Sequence, residues 1–191
     1  MPPKPKITKD MILNTVLEIT REAGFEAVNA RSIAGRLQCS TRPVFTCYEN
    51  MEALKTQFLD FAFEYYNQYV ADYSRSANVK PYLFLPLSYV KFAREETNLF
   101  RILFINDMDL DMTEANDFYK EAGNEEKAKI FSNQIGVPLE RGKEIFLNLF
   151  LYTHGMAVLT ATGKLSFDDD HTEKMVQNFL SAYIKQEKAG T

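Results

Sequence analysis

The sequence predicts an all-α protein of about nine helices. Apolar residues recur at three- and four-residue spacing along almost all of its 191 residues, and alternating period-two runs bounded by Gly or Asn-Gly turns are absent. Pro81, Pro86, Gly123, Gly136 and Pro138 punctuate the later part of the chain, where helices must begin or stop.

Taken in order, the first helix opens at Thr8, whose hydroxyl can cap it, turns Ile12, Val16, Ile19 and Ala23 to one face, and stops at Gly24. A second starts near Asn29 and carries Ile33, Ala34 and Leu37 inward. Ser40-Thr-Arg-Pro43 announces a short third helix, capped by Ser40, with Pro43 in the first turn where a missing amide costs nothing, and ending near Tyr48. Asn50 caps a long fourth helix with Met51, Leu54, Phe58 and Phe61 on one stripe, reaching about Tyr73. Further helices are predicted near 82–96, 98–106, 114–134, 138–163 and 168–187. The expected division is a three-helix head, 1–52, and a helical body, 53–191, with the fourth helix shared between them.

Net charge is −4, but it is unevenly spread: residues 1–55 hold eight Lys/Arg against six Asp/Glu, and the remainder holds 14 against 20. A mildly basic head on an acidic body suits a protein that meets phosphate at one end only. Cys39 and Cys47 cannot build a disulfide framework or a four-ligand zinc site, so reduced thiols and a cytoplasmic location are expected. Met-Pro-Pro-Lys-Pro-Lys has no apolar core after it, and no run approaches the ~18 apolar residues of a span, so neither a secretory signal nor a membrane segment is expected. The only histidines, His154 and His171, lie far apart; no catalytic site, metal or cofactor is expected. Asp107-Met-Asp-Leu-Asp111 imitates the start of a calcium loop, yet Met112 stands where that loop needs Gly and Phe118 where it needs Glu, leaving a solvated acidic loop. Asp168-Asp-Asp170 sits where negative charge favours a helix start.

Arg31 to Leu54 has helix-turn-helix grammar. Ala34 is small where two helices cross, Leu37 and Val44 can pack across the turn, and Thr41, Arg42 and Thr46 project from the third helix. Arg42 is the leading base reader, because a guanidinium matches guanine O6/N7; Arg31 and Arg36 are better placed for phosphates. Through Glu22-Ala-Gly-Phe25, Ile33-Ala34, Cys39-Ser40-Thr41, Val44-Phe45-x-x-Tyr48 and Asn50-Met-Glu-Ala-Leu54, residues 8–58 resemble the tetracycline-repressor (TetR) family of bacterial regulators. The family has tyrosine where Phe45 stands and often lysine where Met51 stands; both departures remove a backbone contact and shift phosphate binding toward Thr46, Tyr48, Lys55 and the N-terminal arm. On this resemblance Arg31, Arg36, Ser40, Thr41, Arg42, Phe45, Thr46, Tyr48 and Lys55 are the expected DNA-binding residues.

The resemblance also implies a homodimer built on the last two helices, with Tyr152, Gly155, Leu159, Phe179, Leu180 and Tyr183 at the interface. Such a dimer sets two reading helices about 34 to 36 Å apart on a palindrome. The body would enclose a small-molecule effector, with Tyr65, Tyr66, Tyr69, Phe92, Phe104 and Phe131 as the expected contacts. The function implied is a ligand-responsive repressor that releases double-stranded operator DNA. A helical small-molecule-binding or enzymatic bundle with a vestigial head is the alternative.

Overall fold

The computed structural model of the protein describes residues 7–108, 110–121 and 123–188, without the side chains of 185–188. Nine α-helices and no strands occur among the described residues, as the apolar periodicity predicts. They are α1 (Lys9–Ala23), α2 (Ala30–Arg36), α3 (Arg42–Cys47), α4 (Met51–Ser76), α5 (Phe84–Glu95), α6 (Thr97–Arg101), α7 (Asn124–Ile135), α8 (Leu139–Ala161) and α9 (Asp169–Lys188). Tight 3-10 turns at Phe25–Ala27, Pro81–Leu83 and Ala115–Tyr119 lie between them, and α6 runs on into a π-helical turn, Ile102–Asn106. The single helix expected over 114–134 is therefore two pieces. Gly123, at φ 83° in the left-handed region, separates the 3-10 turn from α7.

Local signals fix most helix ends. Thr8 Oγ1 accepts the Met11 amide at 3.2 Å, and Gly24, at φ 85°, closes α1 by donating its amide to Thr20. Asn29 accepts the amides of Arg31 and Ser32 at 3.0 Å, while Ser32 Oγ accepts the Asn29 amide at 2.9 Å, a reciprocal cap. Asn50 Oδ1 accepts the Ala53 amide at 2.8 Å and opens α4. Ser40 does not cap α3. Gln38 takes φ 50°, strained for a residue with a Cβ, the Cys39 amide reaches back to the Ala34 carbonyl, and the chain enters α3 one residue later, through Thr41. Asp168 Oδ1 accepts the His171 amide at 2.8 Å at the start of α9.

The chain packs as two compact units. The first comprises the described part of Met1–Gln68 together with Glu96–Asp107, and the second Tyr69–Glu95 with the described part of Met108–Thr191. This is a division of packing, placed differently from the head-and-body division at residue 52, which is a statement about function. The expected basic arm, Met1 to Lys6, and Asp109 of the acidic loop lie outside the described residues.

In the first unit Ile12, Val16, Ile33, Leu54, Phe58, Leu99 and Phe100 are fully buried. α1 is covered on more than the one stripe expected: Leu13 and Leu17 are buried as well, because α6 packs on this helix, and Ala23 is exposed instead. The buried stripe of α4 runs Leu54, Phe58, Ala62 and Tyr66, with Met51 and Phe61 at its half-buried margin. Beside α6 sits Glu96, a buried carboxylate. Arg21 donates to it from Nε and Nη2 at 2.7 and 2.6 Å, and the Tyr65 hydroxyl donates at 3.0 Å. These bonds join α1, α4 and α6, and the hydrogen bond to Glu96 raises the Arg21 pKa.

The core of the second unit gathers Leu83, Leu87, Phe118, Phe131, Ile145, Phe146, Leu149, Val176 and Leu180. α8 lies in the middle of it, packed on α5, α7 and α9. Contrary to the expectation that no stretch is apolar enough for a span, α8 is long and apolar enough by length and composition alone, since residues 145–161 hold no Lys, Arg, Asp or Glu. Its Ile145, Phe146 and Leu149 are spent on the core of this unit, and Met156 and Ala157 are buried too. At Gly142 the backbone of α8 meets α7 with no room to spare: an added Cβ would lie 2.5 Å from Ser132 Cβ and 3.0 Å from Ser132 Cα.

Candidate nucleic-acid interface

α3 is six residues long, and only Val44 on it is buried, at 1 % exposure. Val44, with Ile33 and Ala34 of α2, forms the inner side of the helix pair. The opposite side of α3 presents Arg42, Phe45 and Thr46 to solvent, with Phe45 at 51 % exposure. Arg31 of α2 and Ser40 in the turn are exposed too, and Thr41 is half-buried. Neither α2 nor α3 contains an acidic residue. Arg31 and Arg42 make no ion pair among the described residues, which leaves both guanidinium groups available to an incoming anion or base edge.

Three of the expected DNA contacts sit differently. Arg36 is exposed but forks onto Glu22 of α1 through both terminal nitrogens, and that hydrogen bond lowers the Glu22 pKa. Lys55 is about three-quarters buried and paired with Asp107, whose hydrogen bond raises the ammonium pKa. Its charge is already neutralised at the edge of the first unit. Tyr48, expected to offer its hydroxyl to phosphate, is 5 % exposed and faces inward, the Lys9 ammonium 5.1 Å from its ring centroid. The reason lies in the backbone: Tyr48 is the C-cap of α3, in extended conformation, and the departing chain carries its ring under the helix.

The Tyr48 hydroxyl has no hydrogen-bond partner among the described residues, and burial pushes its pKa up. An unsatisfied buried hydroxyl costs about 1 to 3 kcal/mol. Tyr48→Phe is therefore expected to leave thermal stability unchanged or raise it slightly, and to leave DNA affinity as it was. A drop in affinity measured by fluorescence anisotropy would return Tyr48 to the interface.

The six expected effector residues fall into three settings. In the first unit Tyr66 and Phe104 are buried against each other, ring centroids 5.0 Å apart, and Tyr65 spends its hydroxyl on Glu96. In the second unit Tyr69 packs edge-on against Phe92 at 5.1 Å and donates to Glu95, whereas Phe131 packs on Phe146 at 5.4 Å in the core. Aromatics at helical spacing serve equally to line a pocket and to fill a core. A separate groove of about 240 Å³ lies in the second unit, lined by Lys80, Tyr82, Gln177, Leu180, Ser181 and Ile184.

Of the expected interface residues, Gly155 and Leu159 are exposed on α8, and nothing lies within 4 Å of a Cβ built on Gly155. Leu151, not foreseen, extends this stripe at 51 % exposure. Tyr152, Phe179 and Tyr183 are half-buried and form a stack, with centroids 4.5 and 4.8 Å apart. Leu180 does not belong with them: at 2 % exposure it is part of the core, because the period of α9 turns Val176 and Leu180 inward. Ala157 and Ala161 are buried within the chain as well. His154 lies 2.9 Å from the Tyr89 hydroxyl and stacks on Phe150, and burial lowers its pKa. Cys39 and Cys47 are free thiols. Among the described residues no group of three or more His, Cys, Asp or Glu is placed to hold a metal ion. Compared with known proteins, the chain matches no protein-family model and no curated protein.

Proposed function

We propose that the chain is a sequence-specific DNA-binding regulator of the tetracycline-repressor type, acting in the cytoplasm as a homodimer that reads palindromic double-stranded operator DNA. The observation that carries this reading is the outward face of α3: a six-residue helix held by one buried side chain, free of acidic residues, with the unpaired Arg42 beside Phe45 and Thr46. A structural helix in a bundle buries a stripe along its length; α3 spends its surface on solvent. The reader is braced by α1 and α2, whose caps at Thr8 and Asn29 are satisfied internally, so α3 can be presented rigidly to a major groove.

The exposed Leu151, Gly155 and Leu159 on α8, four residues apart, form a narrow stripe that a second copy can cover, with the aromatic stack of Tyr152, Phe179 and Tyr183 as its neighbour. The effector part of the reading, and the assignment as a repressor rather than an activator, rest on the family resemblance of residues 8–58. For release, the effector must bind the DNA-incompetent arrangement more tightly than the competent one.

Selection of bound duplexes from a random pool, followed by electrophoretic retardation at several salt concentrations, tests the proposal. A palindromic consensus is expected, with affinity falling as salt rises. Arg42→Ala is expected to weaken binding by about 30-fold or more, since the dimer loses one bidentate base contact, worth about 1 to 3 kcal/mol, in each half-site. Affinity that ignores both salt and Arg42 would favour a helical small-molecule-binding bundle instead.

A further inference from the structure

An exposed phenylalanine in the middle of a short reading helix needs an account. Phe45 has no aromatic partner among the described residues, and half of it is open to water, while the residues around it are arranged in a definite chemical order. Arg42 comes one turn earlier and is exposed. Thr46 is exposed too, but its hydroxyl donates to the Arg42 carbonyl at 2.9 Å, so its hydrogen is already used within the helix and what it offers outward includes its methyl group. Pro43 is half-buried and has no amide to give. Beyond Arg42, then, the outward face of α3 is poor in hydrogen-bond donors: a benzyl ring with a methyl group at its side. No carboxylate stands on α2 or α3 to repel DNA from this apolar surface, and Arg31 and Arg42 draw phosphate or base edges toward it.

The major groove has one apolar feature, the 5-methyl group of thymine, and an aromatic ring without a hydroxyl is suited to cover it. We propose that Phe45 is a specificity-determining residue that selects thymine in each half-site by covering its methyl group, next to the base contacted by Arg42. The inference rests on the DNA-binding reading given above and assigns a base to one of its positions. It also gives Phe45 a positive role: in place of a hydroxyl that would hold any phosphate, the ring discriminates among bases.

The test uses the full chain and its selected duplex. Each thymine of the half-site is replaced in turn by deoxyuridine, which keeps every hydrogen bond of thymine and lacks only the methyl group. At one position per half-site the wild-type protein is expected to bind about three- to fivefold more weakly, the worth of one buried methyl, and about tenfold or more weakly when both half-sites are changed. Phe45→Ala, which removes a half-exposed ring and so keeps the fold by circular dichroism, is expected to bind thymine and deoxyuridine duplexes equally. Equal binding of both duplexes by the wild-type protein at every thymine overturns the proposal while leaving DNA binding in place. So does a thymine preference that survives in Phe45→Ala. If no duplex is selected and no salt-dependent binding is found, the DNA-binding reading fails and this inference goes with it.

Discussion

Gly142→Ala is expected to destabilise the second unit by about 3 kcal/mol, at the upper end of what overpacking costs. Most glycine-to-alanine changes inside a helix are stabilising, since alanine has the better intrinsic propensity. Here the sign reverses. A methyl group at Gly142 would meet not only the Ser132 hydroxyl but its Cβ at 2.5 Å and its Cα at 3.0 Å, so rotating a side chain cannot relieve the clash and the two helices must separate. α7 contributes Ala128 and Phe131 to the core and α8 contributes Ile145 and Phe146, so separation at Gly142 loosens those contacts too. Urea unfolding of the two proteins measures the loss. The companion variants make the cause explicit: adding Ser132→Gly should recover a large part of it, despite the propensity cost of a second glycine, whereas adding Ser132→Ala should not, since a Cβ remains. Gly142→Ala within about 0.5 kcal/mol of wild type would mean that the close approach is not needed.

How much of this was legible in advance follows the range of the interactions. Thr8, Gly24, Asn29 and Asn50 act on amides and carbonyls within four residues, and each was readable from its neighbours along the chain. Ser40 misled because the same local grammar allows two entry points to α3, and the backbone at Gln38 chose the later one. Arg36 and Lys55 read as free cations on a basic head, but their partners Glu22 and Asp107 stand 14 and 52 residues away, beyond any local pattern. Tyr48 followed the same rule: a hydroxyl beside a helix expected to read DNA looks like a phosphate contact until the fold turns the ring inward. Periodicity marks which residues are apolar and not which neighbour takes them, so Leu180 joined the core, Leu151 surfaced, and the aromatics of 65–131 divided among three settings. Gly142 carried no signal either, as a glycine in a long apolar helix looks the same whether it faces water, like Gly155, or another backbone.

α4 is held by the opposite device, long side chains acting as spacers, and removing one of them should cost as much as adding a methyl at Gly142. Phe58 is fully buried, its ring stacked on Phe25 at 5.5 Å and 14°, and the Lys55 ammonium lies 5.9 Å from the centre of the Phe25 ring. Phe58→Ala is expected to lower stability of the first unit by about 3 to 5 kcal/mol, from lost transfer energy and from the cavity left behind. Phe58→Leu, which refills most of that volume, should cost much less. The comparison with Arg42→Ala then separates contact from support. Arg42 is exposed and unpaired, so its removal should weaken DNA binding at unchanged stability. Phe58 is buried away from solvent, so its removal should weaken binding only as far as the head is unfolded, and a stabilising osmolyte should restore affinity to the Phe58→Ala protein but not to the Arg42→Ala protein. If affinity instead fell equally and irrecoverably in both, α4 would have to contribute to DNA contact directly rather than by holding α1 to α3 in place.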